Sequence, residues 1–251
     1  MSVIWHDLEC GGYVEDLPLW RELASRRGDP VLDVGAGTGR VALDLARRGH
    51  RVTALDRDPA LVAELQRRAA GLQVHAVLAD AREFDLQERF TLCLMPMQTI
   101  QLLGGPPGRA GFLSCARAHL KAGGLLAIAI AEQLEAYEDH GDQDAHGDHG
   151  DHGLGDLLAP LPDMCERDGV VYSSQPTAIR VDRDAFVLER RRETVTADGR
   201  HSVCKDRVRL DRVSPAEIER EAAAAGLQPA GRRIVPETSD YAGSTVVMLS
   251  A

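Results

Sequence analysis

An α/β fold built on a doubly wound, mostly parallel sheet is what this sequence predicts, on three observations. Short apolar runs of strand character alternate with amphipathic helical stretches over residues 30 to 131, a pattern that implies a parallel sheet covered on both faces. Right-handed crossovers then make the sheet open and wound in both directions. Glycines cluster at the first strand-to-helix junction, in "VLDVGAGTGR" at 31 to 40, where something is expected to approach the backbone closely. Finally, 251 residues with 44% apolar side chains suffice for one large domain, or a domain with a small appendage.

The elements follow in order. Leu17, Trp20, Leu23 and Ala24 recur at helical spacing and predict a helix over 14–27. Three of the ten aromatic residues, Trp5, Tyr13 and Trp20, lie in the first twenty positions, so residues 1–29 are read as a packed helical cap. "GDPVLDV" is a turn and a buried strand; "TGRVALDLARRGH" is a helix with Val41, Leu45 and Ala46 inward and Gly49 as its stop. "RVTALD" is the second strand, and "DPALVAELQRRAAG" a helix capped by Asp58 with Pro59 in its first turn. "LQVHAVLAD", "FTLCLM" (90–95), a helix over roughly 109–121 and "GGLLAIAIA" (123–131) complete the core, residues 30–131.

After residue 131 the pattern changes. Residues 132–168 read as an acidic His/Asp-rich loop, and 169–212 as an inserted antiparallel sheet with strands near 169–181, 185–196 and 201–212. "DRD" and "ADGR" supply the turns. Residues 213–251 close the domain with a helix, capped by Ser214 and Glu217 and ended by Gly226, and strands near 229–236 and 244–250. The whole of 1–251 is read as a single domain.

Charge narrows the function. The formal net charge is −10, but residues 135–156 hold eight acidic groups and no Lys or Arg, leaving about −2 elsewhere. An acidic chain without a basic stripe suits no phosphate backbone, which disfavours nucleic acid as a partner. Five scattered cysteines without paired spacing suit a reducing compartment. "MSVIWHDLEC" has no basic start and no apolar stretch, and the longest apolar run is too short to span a bilayer, so a cytoplasmic protein with no membrane partner is expected.

Gly35, Gly37 and Gly39 stand between a buried strand and a helix, where free N–H groups and absent side chains admit a nucleotide-like ligand. Asp56 ends the second strand, where a carboxylate can accept from both hydroxyls of a ribose. Asp80 ends the third, where one can accept from an adenine amino group. The dinucleotide fingerprint G-x-G-x-x-G fails, because from Gly35 its last glycine falls on Arg40.

"VLDVGAGTGR", "VTALDRDP", "LADAREF" and "HLKAGGLLAIAI" resemble, in order and spacing, the successive motifs of the class I S-adenosylmethionine-dependent methyltransferases. The resemblance implies a Rossmann-like seven-stranded sheet with its last strand antiparallel, and S-adenosyl-L-methionine as methyl donor. It implies that Gly35, Ala36, Gly37 and Gly39 run beside the methionyl part, with Asp33 ordering the loop or reaching the ammonium through water. Asp56 would bind the ribose with Arg57 beside it, Asp80 and Ala81 would read adenine, and Met95 and Tyr13 would border the cofactor. The inserted sheet resembles, in topology, that of small-molecule members, including amino-sugar N-methyltransferases.

A sulfonium methyl is already electrophilic, so orientation is the main task and a general base is needed only where the acceptor must lose a proton. Gln98, after the fourth strand, is the candidate for orienting the acceptor, and Glu132, after the fifth, the candidate base. Tyr13 either closes over the cofactor or packs near Trp20. No metal site is expected: His140, His146, His149 and His152 are separated by flexible glycines. The expected activity is methyl transfer to nitrogen or oxygen of a small molecule. The Arg190–Arg192 run reads first as a solvated sheet face, with an anionic substrate or a homodimer contact as the alternatives. The alternatives are a protein of the same fold that binds S-adenosylmethionine for other chemistry, and, disfavoured by Arg40, a nucleotide-dependent oxidoreductase. Acidity and "MPMQ" after the fourth strand oppose a nucleic-acid methyltransferase.

Overall fold

The computed structural model describes residues 3–138, 160–238 and 241–251. Two compact units are present, Met1–Glu132 with Asp211–Ala251, and the inserted Gln133–Leu210. The first runs α1 (Val3–Cys10), α2 (Leu17–Arg27), β1 (Val31–Val34), α3 (Arg40–Arg47), β2 (Val52–Asp56), α4 (Pro59–Arg68) and β3 (Val74–Leu78). It continues with β4 (Phe90–Met95), a 3-10 turn (Thr99–Leu102), α5 (Gly105–His119) and β5 (Leu120–Ile130). The insertion holds β6 (Tyr137–Glu138), β7 (Asp163–Arg167), β8 (Val170–Val181), β9 (Ala185–Val195) and β10 (His201–Asp211). The chain then closes the first unit with α6 (Pro215–Ala224), β11 (Gln228–Val235) and β12 (Ser244–Ser250).

Seven strands pair in the order β11-β12-β5-β4-β1-β2-β3. The β1–β2, β2–β3, β1–β4 and β4–β5 pairs are parallel, and β12 is antiparallel to β5 and β11. This is the doubly wound, seven-stranded sheet with a reversed last strand that the motifs implied. Its strands feed two cores alternately, as a period of two requires. Leu92 and Leu94 of β4 join Trp20, Leu43 and Leu65 on one face, while Cys93 and Met95 join Phe112, Leu113 and Ile218 on the other. β3, an edge strand, is correspondingly only half-buried.

Local chemistry sets the ends. Asp58 accepts from the Ala60 and Leu61 N–H groups at 2.9 and 3.4 Å and starts α4. Ser214 and Glu217 form a reciprocal capping box on α6, and Gly226 follows that helix with φ +81°. α5 starts at Gly105, earlier than expected, because Pro106 and Pro107 occupy first-turn positions that need no N–H partner. Four elements were not delimited: α1 within the helical cap, the 3-10 turn after β4, and β6 and β7.

The insertion is a five-stranded antiparallel sheet, β10-β9-β8-β6 with β7 also paired to β8. Residues 132–168 were expected as loop throughout; β6 and β7 lie within them, while 139–159, with His140, His146, His149 and His152, lie outside the described residues. β7 and β8 join through Asp168 and Gly169, both at positive φ (53° and 74°). That is the two-residue hairpin a D-G pair favours. Arg191, half-exposed, pairs with Glu193 at 2.8 Å, while Arg192 is nearly buried against Asp206 at 2.9 Å. Among the described residues no helix is long and apolar enough to cross a membrane.

Candidate active site at the ends of the parallel strands

β1 and β4 are neighbours, yet α3 after β1 packs on one face and α5 after β4 on the other. The two connections part at the strands' carboxyl ends and leave a crevice, the usual ligand position in this architecture. Asp33, Gly35 and Arg40 line one wall, Pro96, Met97 and Thr99 the other, and His6 and Cys10 of α1 close it.

Asp33 is 1% exposed, and neither of its carboxylate oxygens makes a hydrogen bond of normal geometry. Burial pushes its pKa up to about 7, against the pull of the Arg40 guanidinium and the Ala42 amide. Apart from the Ala42 amide, no donor or cation among the described residues pairs with it directly.

The glycine loop is built inward. Gly35 and Ala36 donate to the Leu55 carbonyl at 2.8 and 3.0 Å, and Gly39 donates to Ala36 at 2.9 Å. The Gly37 N–H donates to Asp56 Oδ2 at 2.8 Å. These four amides are therefore not free donors, contrary to what the junction suggested: β2 lies close enough to take three of them. The glycines answer to side chains as well. A Cβ at Gly35 would sit 2.5 Å from Thr99 Cγ2, one at Gly37 would enter the His6 ring, and one at Gly39 would meet Leu65.

Asp56 ends β2 and ties two loops together, accepting from Asp58 N–H at 2.9 Å as well as from Gly37. Arg57 is exposed beside it. Asp80 follows β3 and is held by its neighbour Arg82 through the backbone N–H at 2.9 Å and a guanidinium fork at 2.9 and 2.6 Å. That fork holds its carboxyl down at about 2. Ala81 beside it is buried. Three consecutive strand ends thus carry Asp33, Asp56 and Asp80, each with different hydrogen-bond partners.

Tyr13 does not project as a free aromatic lid. It is 4% exposed, packed against Tyr241 with the rings tilted by 49° and their centroids 4.9 Å apart, and lies under the Arg40 guanidinium at 5.1 Å. Arg40 also donates to the Tyr13 carbonyl at 2.8 Å and forks onto the buried Asp16 at 2.5 and 2.8 Å. The position a dinucleotide fold reserves for glycine is here a buried cation that fastens residues 13–16 to the loop.

On the acceptor side, Met95 is fully buried in the core, and Pro96, Met97 and Thr99 line the crevice in its place. β4 is continuous through Met95, so that side chain follows the strand's inward alternation. Gln98 is half-buried and caps nothing with its side chain. Glu132 is exposed and accepts a short hydrogen bond from Thr245 Oγ1, which draws it toward β12. Sequence reading missed Gln101, buried after β4. Its amide nitrogen donates to the Ala131 and Asp211 carbonyls at 3.1 and 2.9 Å, and its oxygen accepts from Ala131 N–H at 2.8 Å. It missed His6 too, although Ile4, Trp5 and Leu8 recur at helical spacing around it. Gln101 has no comparable signal, since its partners are distant in sequence.

Residues 31–124 match the family model of the methyltransferase domain. Over 120 residues it is 36% identical to a probable cobalt-precorrin-6B C(15)-methyltransferase (decarboxylating) of Methanothermobacter thermautotrophicus, covering 45% of this chain and 59% of that protein. The chain thus spans less than two thirds of that relative's length. Among solved structures, the CcbJ methyltransferase of Streptomyces caelestis is similar with a TM-score of 0.70 and 20% identity, over 100% of this chain and 96% of that one. A SAM-bound amino pentose methyltransferase of Micromonospora echinaspora, involved in calicheamicin biosynthesis, gives 0.68 and 20% over 100% and 97%. At these identities the likeness to both is one of fold.

Proposed function

We propose that this protein transfers a methyl group from S-adenosyl-L-methionine to a nitrogen or oxygen of a small molecule. The observation that carries the reading is Asp33: a buried carboxylate with no ion-pair or side-chain hydrogen-bond partner, beside the glycine loop of a methyltransferase domain. Buried polar groups are rarely left unpaired, and a buried carboxylate most needs a cation. The methionyl ammonium is one. Asp56 has lone pairs left for ribose hydroxyls after its two backbone partners. Asp80, with Ala81, receives adenine once the half-exposed Arg82 shares or yields its place.

The cofactor supplies an electrophilic methyl group when bound. The chain's own work is then to hold the acceptor in line with it and keep water out, which lowers a barrier by roughly 7–11 kcal/mol. We assign orientation of the acceptor to Gln98 and, where a proton must leave, its removal to Glu132. The fold neighbour that acts on an amino pentose and the net charge of −10 support a small acceptor over a nucleic acid. A cytoplasmic setting suits five cysteines that form no disulfide.

Titration calorimetry with S-adenosylhomocysteine and with NAD tests the reading, and heat from the first alone is expected. Heat from NAD alone would replace it with an oxidoreductase. Asp56→Ala is expected to weaken S-adenosylhomocysteine binding by about 1.5–3 kcal/mol, the worth of hydrogen bonds to a charged group. Wild-type affinity would remove the ribose assignment. On a panel of candidate acceptors, Gln98→Ala and Glu132→Ala are expected to lower turnover; if neither does, both acceptor-side roles are lost.

A further inference from the structure

The group that fills the space above Gly37 is part of the protein itself. The His6 imidazole of α1 lies against the Gly37 backbone, where a Cβ would enter its ring. Its Nδ1 is 3.3 Å from Thr38 Oγ1. Burial holds the His6 pKa below the ordinary histidine value, opposed by the nearby Asp56 carboxylate. One residue on, Asp7 accepts from Thr38 Oγ1 at 2.7 Å and from Arg68 Nη1 at 2.9 Å, with a second, shorter Arg68 contact. α1 therefore covers the Gly37–Thr38 backbone beside Asp56. What remains of the crevice is a cavity of about 40 Å3, whereas sites that enclose an organic ligand measure roughly 300–1,000 Å3.

α1 is also built to leave. Its eight residues include none that is fully buried, and a helix that short is marginal once its tertiary contacts are lost. It ends at Gly11 and Gly12, both exposed in a turn. Immediately beyond, Tyr13 and Asp16 are pinned by Arg40. A movable segment, a glycine pair and a fixed anchor thus follow one another within sixteen residues.

We propose that α1 is a self-occluding strap: His6 and Asp7 occupy the Gly37–Thr38 surface that an adenosyl ligand requires, and α1 must swing out at Gly11–Gly12 before that ligand is admitted. This rests on the assignment of the crevice to S-adenosylmethionine. If the open form is a small fraction of the molecules, apparent affinity is reduced by that fraction, so loosening the strap tightens binding. An N-terminal lid that lines the bound ligand predicts the reverse.

The test uses the full chain, as wild type, His6→Ala and Asp7→Asn. Without ligand, hydrogen exchange at residues 3–10 is expected to proceed by local opening, at least tenfold faster in both variants, while α2 is unchanged. If 3–10 exchange only with global unfolding, or at wild-type rates in the variants, the strap is overturned whatever the crevice binds. With S-adenosylhomocysteine, calorimetry is expected to give about tenfold tighter binding to the variants, and exchange at 3–10 in wild type should rise on saturation. Unchanged or weaker binding, or protection of 3–10 by ligand, overturns the proposal in favour of a lid. Absence of heat from all three proteins overturns the cofactor assignment and the competition with it, leaving the ligand-free exchange to decide the hinge alone.

Discussion

Asp33→Asn is expected to stabilise the protein at pH 8 by up to about 4 kcal/mol while impairing cofactor binding, at about 1.4 kcal/mol for each pH unit separating the folded and unfolded pKa values. The sign follows from the direction in which burial moves this carboxyl. The folded-state pKa of about 7 stands above the ordinary 3.8, so between those values the native state holds a proton that the unfolded chain has lost. Stability contributed by this group is complete below about pH 4 and disappears as pH rises through 7. Asparagine is neutral throughout. Its advantage over wild type should therefore be largest above pH 7, shrink through pH 5 and vanish near pH 4. Denaturant unfolding at pH 8, 6 and 4 checks this, and equal stability at pH 8 would contradict it. A second consequence needs no substitution. An ammonium placed beside Asp33 favours its ionised form, so S-adenosylhomocysteine binding near pH 7 should release a proton. Calorimetric enthalpies would then vary with the buffer's ionisation heat, and no variation would place the ammonium elsewhere.

Arg40→Met is expected to cost about 3–5 kcal/mol, the usual result of breaking a buried pair and stranding one partner. Asp16 is 2% exposed, and Arg40 supplies both bonds of its fork. The same cation is the strongest influence lowering the Asp33 pKa, so its loss should also carry that carboxyl further up. Urea unfolding at constant slope would measure the loss. The double variant Arg40→Met with Asp16→Leu should recover most of it, because no charge is then left buried alone. A loss below about 1 kcal/mol in the single variant would mean that water reaches Asp16.

Much of this was legible in the chain. β4 begins and ends where "FTLCLM" does, and the Asp58 and Ser214 caps stand where their side chains can reach the first free amides. These are short-range matters: a strand's period of two, or a hydroxyl three residues from an N–H. Asp33, Asp56 and Asp80 could be put at consecutive strand ends for the same reason. α1 was not delimited although Ile4, Trp5 and Leu8 share a helical spacing, and Gln101 escaped because it joins Ala131 and Asp211, thirty and one hundred and ten residues away.

By itself the sequence determined the alternation of strands and helices, their caps, and the run of glycines and aspartates at the strand ends. Only the tertiary structure decided what became of those aspartates: one buried with its pKa raised, one tied to two loops, one gripped by arginine. It also decided that the glycines face His6, Thr99 and Leu65. Helical and strand periods depend on neighbours a few residues apart. Desolvation and pairing depend on whatever the fold brings within about 4 Å, from any distance along the chain.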